Sequence, residues 1–377
     1  MKINNIDKVN IIPRPTYAVI DLERFISNIE LARSLSKSDI IAVVKADAYG
    51  HGAKVLAKYA YKHANVTHFA VATMIEGIEL RKVLPGEDIK IIVLGYVSDS
   101  FVKEALEASL TLPVFDERYA SIISSAAKEL NKKAHVALEI DTGMSRLGFS
   151  YDYNIKDLLE KYNNIYVDYA ISHLATSDSD NSFSHIQTER FDKFLEINKD
   201  YTFATSFLNS SGIANFENRW TYTRPGLFLY GYESTNVLKD LKPVLSLWSE
   251  IAHVKFLKKG QSVGYGRTFI APNDMLIGVV PIGYADGYVR KLSNTGYVFI
   301  DNVKCNVVGN VCMDMVMIDV TELGENSIGK KVEIIGDNIS ATTLGDLAGT
   351  IDYEILCGIS ERVPRLYKYK EGYFEIF

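Results

Sequence analysis

Lys45 stands directly behind the apolar run IIAVV (40–44) and ahead of Ala46, Asp47, Ala48, Tyr49, Gly50, His51 and Gly52. A lysine at the end of a buried strand is costly unless it is paired, deprotonated or covalently bound. Two readings stand: the amine snorkels to a rim, or desolvation and cationic neighbours lower its proton affinity and it forms a Schiff base with an aldehyde. Other runs meet polar residues at their ends in the same way. AHVALEID leads to Asp141 and Arg146, IYVDYAIS to His173, FATSFL to Asn209, Ser210 and Ser211, and RPGLFLYG opens on Arg224 with Gly226 beside it. Ser210, Ser211 and Gly226 offer hydroxyl and backbone N–H groups suited to an anion, although NSSG by itself reads equally as a turn. Arg146, Arg224 and His173 bring charge for a carboxylate and a ring nitrogen. A lone histidine is more often structural, so the argument needs several such residues on one rim.

The elements that must position them are legible in the spacing. Between residues 40 and 231, IIAVV, HFAVAT, IKIIVLGY, LTLPVFD, AHVALEID, IYVDYAISH, FATSFLNS and RPGLFLYG give about eight strands whose starts lie roughly 20 to 40 residues apart. Their apolarity is continuous rather than alternating, which means burial on both faces. Residues 53–64, 117–130 and 191–198 carry apolar positions at helical spacing. The expected fold is α/β: an N-terminal (β/α)₈ TIM-type barrel over 12–240, with its chemistry at the C-terminal ends of the strands. From 241 to 377 the chain reads as a mainly β domain of short strands and Gly, Asn and Asp turns, with a helical piece near 343–350. Residues 1–11 are expected to pack with that domain.

Composition narrows the class. The formal charge of −6 supplies no basic face for nucleic acid or an anionic membrane, and no apolar run reaches the roughly 18 residues of a membrane span. Three cysteines, Cys305, Cys312 and Cys357, do not make a disulfide framework. With no apolar leader segment at the start, a cytoplasmic protein is expected. GENSIGKK (324–331) resembles a phosphate loop, but Lys331 takes the Ser/Thr place and a strand-like VEII follows, so it reads as a turn. No His or Cys spacing points to a metal.

Several blocks together resemble one family. AVVKADAYGHG (42–52) closely resembles the pyridoxal-phosphate attachment site of alanine racemases. IDTGMSRLGF, SHLATSD, NSSG, RPGLFLYG, SVGYGRTF, PIGYADGY, VCMDMVMIDV and TIDYEILCGISERVPR match further family blocks in the same order, over about residues 12 to 370. The resemblance implies a pyridoxal 5'-phosphate enzyme that interconverts L- and D-alanine and supplies D-alanine for peptidoglycan. It also implies a head-to-tail homodimer in which each site combines one subunit's barrel with the other's β domain.

Carried over by resemblance, Lys45 holds the cofactor and serves one face of the substrate Cα, while Tyr265 of the other subunit serves the opposite face. A basic Tyr265 needs nearby positive charge or hydrogen bonds, for which His173 and Arg224 are the candidates; Arg224 also faces the pyridine nitrogen. Tyr49, Ser210 and Tyr353, with backbone N–H groups near Gly226 and Leu227, hold the phosphate. Arg146 meets the cofactor's phenolic oxygen and the substrate carboxylate, and the Met313 N–H meets that carboxylate from the partner. Tyr353 restricts the side-chain pocket, Tyr284 lines the entrance, and Cys312 and Asp314 flank Met313.

Where many relatives carry a carbamylated lysine, this chain has Glu139, for which direct pairing with Arg146 is expected; that Glu139 points elsewhere stays open. Two alternatives remain: a broad-specificity or serine racemase on the same scaffold, and a non-enzymatic cofactor-carrying protein, whose known examples lack the second domain.

Overall fold

The computed structural model describes residues 2–3, 14–233, 238, 240–370 and 372–375, with backbone only for 2–3 and 373–375. The expectation that residues 1–11 pack with the β domain lies outside the described residues, apart from a two-residue strand, Lys2–Ile3, that pairs with Gly372–Glu375. The chain divides into two compact units, Phe25–Ala48 with Ala53–Lys242, and Met1–Arg24 with Tyr49–Gly52 and Pro243–Phe377.

The first unit is a closed parallel barrel. Its strands are β1 (Asp39–Ile40 continued by Ala42–Val43), β2 (His68–Val71), β3 (Lys90–Val93), β4 (Leu112–Val114), β5 (Ala134–Asp141), β6 (Ile165–Ile171), β7 (Ala204–Ser206) and β8 (Tyr222–Thr223). Neighbours pair in parallel all round. A single bridge, Ile92 to Thr111, joins β3 to β4, and Tyr222 on β8 pairs with Asp39 on β1 to close the ring. Val136, Ala137 and Leu138 are fully buried in succession, which is why the runs lack a polar alternation.

Helices follow the strands because their apolar positions recur at helical spacing. Ala53–Ala64 buries Leu56, Ala57, Ala60 and Ala64. Met74–Val83 starts with a capping box in which Thr73 accepts from Glu76 N–H and the Glu76 carboxylate accepts from Thr73 N–H. Glu117–Glu129 is capped by Asp116, which accepts from Tyr119 N–H at 2.6 Å.

One strand expectation fails. RPGLFLYG was to be the eighth strand, yet that strand is Tyr222–Thr223, and Leu227–Tyr230 is a 3₁₀ turn ended by Gly231 at φ +89°. Pro225 lacks the N–H that a further ladder bond needs, so the buried run LFLY is read by apolarity alone as a strand that the backbone cannot extend.

In the second unit, an eight-stranded sheet orders Lys2–Ile3, Gly372–Glu375, Arg365–Tyr369, Tyr17–Asp21, Leu245–Glu250, Lys331–Ile335, Tyr297–Ile300 and Val303–Asn306. The barrel was expected to begin at residue 12; Tyr17–Asp21 instead lies between Leu245–Glu250, antiparallel, and Arg365–Tyr369, parallel. His253–Leu257, Met275–Val280 and Val316–Asp319 form a second sheet, over a core of Leu257, Val263, Met275, Ile277 and Val308. The helical piece near 343–350 is Ala341–Ala348, and the segment 324–331, expected to be a turn, is a 3₁₀ turn over Glu325–Ser327 that runs into the strand Lys331–Ile335, with Gly324 at φ +75°.

Candidate active site

At the end of β1 the backbone does something unusual after Lys45. Ala46, Asp47, Ala48 and Tyr49 all have φ between +51° and +54°, so the chain winds left-handed through four residues that carry a Cβ, at about 1–2 kcal/mol each. Its bonds are specific: Ala48 N–H donates to the Val44 carbonyl at 2.9 Å, Ala53 N–H to Asp47 Oδ1 at 2.8 Å, and Ala46 N–H to Glu76 Oε1 at 2.7 Å.

The other strand ends gather charge near Lys45. Arg224, directly after β8, is 4% exposed and donates from Nη2 to the Ser172 carbonyl, while its buried Nη1 meets no partner among the described residues. Burial, with some opposition from Glu139, lowers its proton affinity to about 10; the guanidinium stays charged at neutral pH. His173 is pushed down to about 3 by burial and then by the charges of Arg224, Arg146 and Lys45. It is neutral, so of the two expected positive neighbours for a phenolate only Arg224 carries charge; His173 is left with hydrogen bonding.

Burial lifts the Glu139 carboxyl to about 7 against the pull of Arg224 first and Arg146 second. The expected direct Glu139–Arg146 pair is absent among the described residues. Glu139 is fixed within β5, whereas Arg146 lies on an exposed loop shaped by Asp141, whose Oδ1 accepts from Gly143 N–H at 2.9 Å and Ser145 N–H at 3.0 Å. The two act on each other across a distance and not through an ion pair.

Ser210 begins the short helix Ser210–Asn215, capped by Asn209, and its Oγ accepts from Gly226 N–H at 3.0 Å and Phe228 N–H at 3.2 Å. NSSG is therefore a helix start, and it is stitched to the turn after β8. Ser211 is buried in the same helix.

In the second unit, Tyr265 sits at the tip of the hairpin Ser262–Val263 and Phe269–Ile270, 73% exposed, with Gly264 and Gly266 at φ +66° and +70° making the turn. Asn310 Nδ2 donates to the Tyr265 carbonyl at 2.7 Å. Met313 is 52% exposed, and its N–H has no acceptor among the described residues. The turn that carries it is closed by Cys312 N–H to the Met315 carbonyl at 2.9 Å, and it docks on the Tyr284 loop through Tyr284 N–H to Cys312 O and Ala285 N–H to Met313 O, each 3.0 Å. A Cβ on Gly283 would collide with both of those carbonyls. Burial raises the Cys312 thiol, so it is no ready nucleophile. Asp314 pairs with Arg362 at 2.7 Å. Tyr49 and Tyr353 rings lie 5.9 Å apart, and burial raises the Tyr49 phenol.

Sequence reasoning missed several supports. Fully buried Asp286 accepts from Arg14 at 2.7 Å and from Gly283 N–H at 3.0 Å, fixing the Tyr284 loop. Gln187 donates to the His173 carbonyl at 3.0 Å and to Thr142 Oγ1 at 3.1 Å; Thr142 in turn meets Ser172 Oγ at 2.8 Å. No local pattern announces the Asp286–Arg14 pair or the Gln187 bonds, whose partners lie far along the chain. Glu76 did leave a signal, the Thr73-x-x-Glu76 capping signature.

The first unit is a parallel barrel whose strand ends bring Lys45, Arg146 and Arg224 within electrostatic reach of His173, and the chain continues into a mainly β unit, the architecture of a barrel enzyme with an added β domain. The family described as alanine racemase, N-terminal domain, matches residues 20–234, and alanine racemase, C-terminal domain, matches 244–367. Alanine racemase 1 of Clostridium acetobutylicum is 36% identical over 94% of this chain and 95% of its own. Among solved structures, the alanine racemase of Clostridium difficile 630 shares 32% identity with a TM-score of 0.90, covering 97% of this chain and 98% of that one. That of Bartonella henselae, with covalently bound pyridoxal phosphate, shares 29% with a TM-score of 0.85, covering 94% and 100%. The chain belongs to the alanine racemase family, isomerases that act on amino acids. Among the described residues no helix is long and apolar enough to cross a membrane, and no group of His, Cys, Asp and Glu could hold a metal.

Proposed function

We propose that this chain racemises alanine with pyridoxal 5'-phosphate held on Lys45, by two-sided proton transfer between Lys45 of one copy and Tyr265 of another in a homodimer. The observation that carries the reading is the strand-end Lys45 in the same charge cluster as a buried Arg224 with an orphan nitrogen. When bound, the cofactor withdraws electrons from the substrate Cα and makes its proton removable.

The residues fit such a group. Arg224 Nη1 supplies the donor that an aromatic ring nitrogen accepts, and a guanidinium that keeps its proton gives a hydrogen bond without a proton transfer. By resemblance, Ser210, Tyr49 and Tyr353 would supply hydroxyls for a phosphate, with backbone groups near Gly226 and Leu227. Lys45 Nζ takes or returns the Cα proton on one face, and the Tyr265 phenol does so on the other. A single base returning the proton to the side it left would regenerate the same enantiomer. Arg146 and the Met313 N–H of the other copy hold the substrate carboxylate, with Tyr284 at the entrance. Glu139 tempers the positive charge of Arg224 and Arg146. The exposure of Tyr265, Tyr284, Met313 and Met315 supports their being covered by a second copy. The product D-alanine serves peptidoglycan synthesis.

The test is a racemisation assay of both enantiomers of alanine and of serine with the cofactor supplied. Equal final mixtures from either alanine enantiomer, with kcat/KM well above that for serine, are expected. Preference for serine moves the substrate assignment, and cofactor binding without turnover of either amino acid returns the chain to the carrier alternative.

A further inference from the structure

We propose that Glu76 is a positioning residue for Lys45: by accepting the Ala46 N–H it holds the left-handed turn behind the lysine, and with it the direction of the lysine side chain. The inference rests on the reading of Lys45 as the attachment point.

The geometry is economical. One carboxylate divides its two oxygens between two elements. Oε2 accepts from Ala72 N–H at 2.8 Å and Thr73 N–H at 3.0 Å, completing the cap of helix Met74–Val83, and Oε1 reaches over to Ala46 N–H at 2.7 Å. The turn it reaches needs an anchor, because Ala46, Asp47, Ala48 and Tyr49 all hold positive φ and none is a glycine, for which such a conformation is free. A strained turn persists only where its surroundings over-determine it. The bond is made by Ala46, the first residue after Lys45, and so acts one residue from the amine's own Cα. A helix cap has no need of this third bond; the capping box with Thr73 is complete without it.

The helix cap and the clamp on Ala46 can be separated. Thr73→Ala removes the hydroxyl that accepts from Glu76 N–H and leaves the Ala46 bond in place; Glu76→Ala removes both; Glu76→Gln keeps a single accepting oxygen, which the Ala72 and Thr73 N–H groups claim, and turns a donating NH2 toward Ala46 N–H. With enzyme loaded with pyridoxal 5'-phosphate, Glu76→Ala is expected to lose kcat by about 10–100-fold with little change in KM, since small misplacements of a reacting group cost rates of that order. It should also weaken and shift the visible absorbance and circular-dichroism bands of the bound cofactor and release it faster on dialysis. Glu76→Gln should lose kcat and weaken the spectrum as Glu76→Ala does while keeping the helix cap, because an amide NH2 cannot accept from Ala46 N–H. Thr73→Ala should lower Tm yet keep both.

Wild-type kcat and spectrum in Glu76→Ala, or equal losses in Thr73→Ala and Glu76→Ala, overturn the proposal. If Glu76→Ala yields no folded protein, Glu76→Asp carries the test, its carboxylate still in the first helical turn but one carbon short of Ala46: lost kcat supports the clamp, retained kcat overturns it. Lys45→Ala separates the two levels. Bands absent in Lys45→Ala but intact in Glu76→Ala break the clamp alone, whereas bands and activity that survive Lys45→Ala break the reading of the site.

Discussion

The two units carry their functional residues in opposite ways. In the barrel, Arg224 is buried, His173 is held neutral and Glu139 is lifted toward neutrality; each charge state is set by neighbours at adjoining strand ends. In the β unit, Tyr265 and Met313 stand on loop tips, mostly open to water, and what is buried there, Asp286 with its Arg14 partner, serves to shape a loop. A socket of preset charge can be completed within one unit. Exposed groups acquire catalytic character only when something covers them and removes water, and the homodimer proposed above gives them that cover.

The comparison can be broken or sharpened by substitution. Lys45→Ala should cost the most, on the order of 10⁴-fold or more in kcat; appreciable residual racemisation would mean the barrel's charge cluster is not the centre of the chemistry. Tyr265→Phe should cost about 10²–10⁴-fold in kcat while unfolding free energy, read by denaturant titration, moves by no more than about 0.5 kcal/mol, as for surface changes in general. A large loss of stability there would show that the tip is packed within its own chain and would dissolve the contrast. Asp286→Asn reverses the pattern: about 3 kcal/mol of stability should go because Arg14 is left beside an uncharged amide, and a loss under about 1 kcal/mol would mean the loop is held by other bonds.

A further effect concerns pH. The folded-state affinity of His173 for a proton, about 3, lies below its ordinary 6.5. Its neutral form is therefore favoured by folding, and its contribution is whole above pH 6.5 and lost progressively as pH falls toward 3. His173→Asn should flatten that acid limb of Tm against pH, and Tyr265→Phe should leave the limb unchanged. An identical limb in wild type and His173→Asn would remove His173 from the buried cluster.

Local chemistry was legible where it is local. The barrel runs announced themselves by unbroken apolarity, helix Ala53–Ala64 by its spacing, and Lys45 by its place behind a buried run. Tyr265, Met313 and the cofactor assignment came from resemblance. What escaped depends on partners far along the chain. The expected barrel start at residue 12 gave Tyr17–Asp21 to the barrel, and only its pairing with Leu245–Glu250 and Arg365–Tyr369 assigns it to the other sheet. LFLY has strand composition, yet Pro225 and Gly231 on either side leave it a 3₁₀ turn. Gln187 bonds to His173 from a neighbouring helix, and the Glu139–Arg146 pairing failed because charge complementarity in sequence says nothing of where a loop carries a guanidinium.

The most direct measurement mixes two inactive proteins, Lys45→Ala and Tyr265→Ala, in equal amounts under conditions that exchange subunits, with exchange verified by differently tagged copies. If barrel and β unit from different copies complete one site, half the dimers become hybrids with one intact site in two, and roughly a quarter of wild-type activity returns. No recovery despite verified exchange would place both residues in the same copy's site and contradict the account.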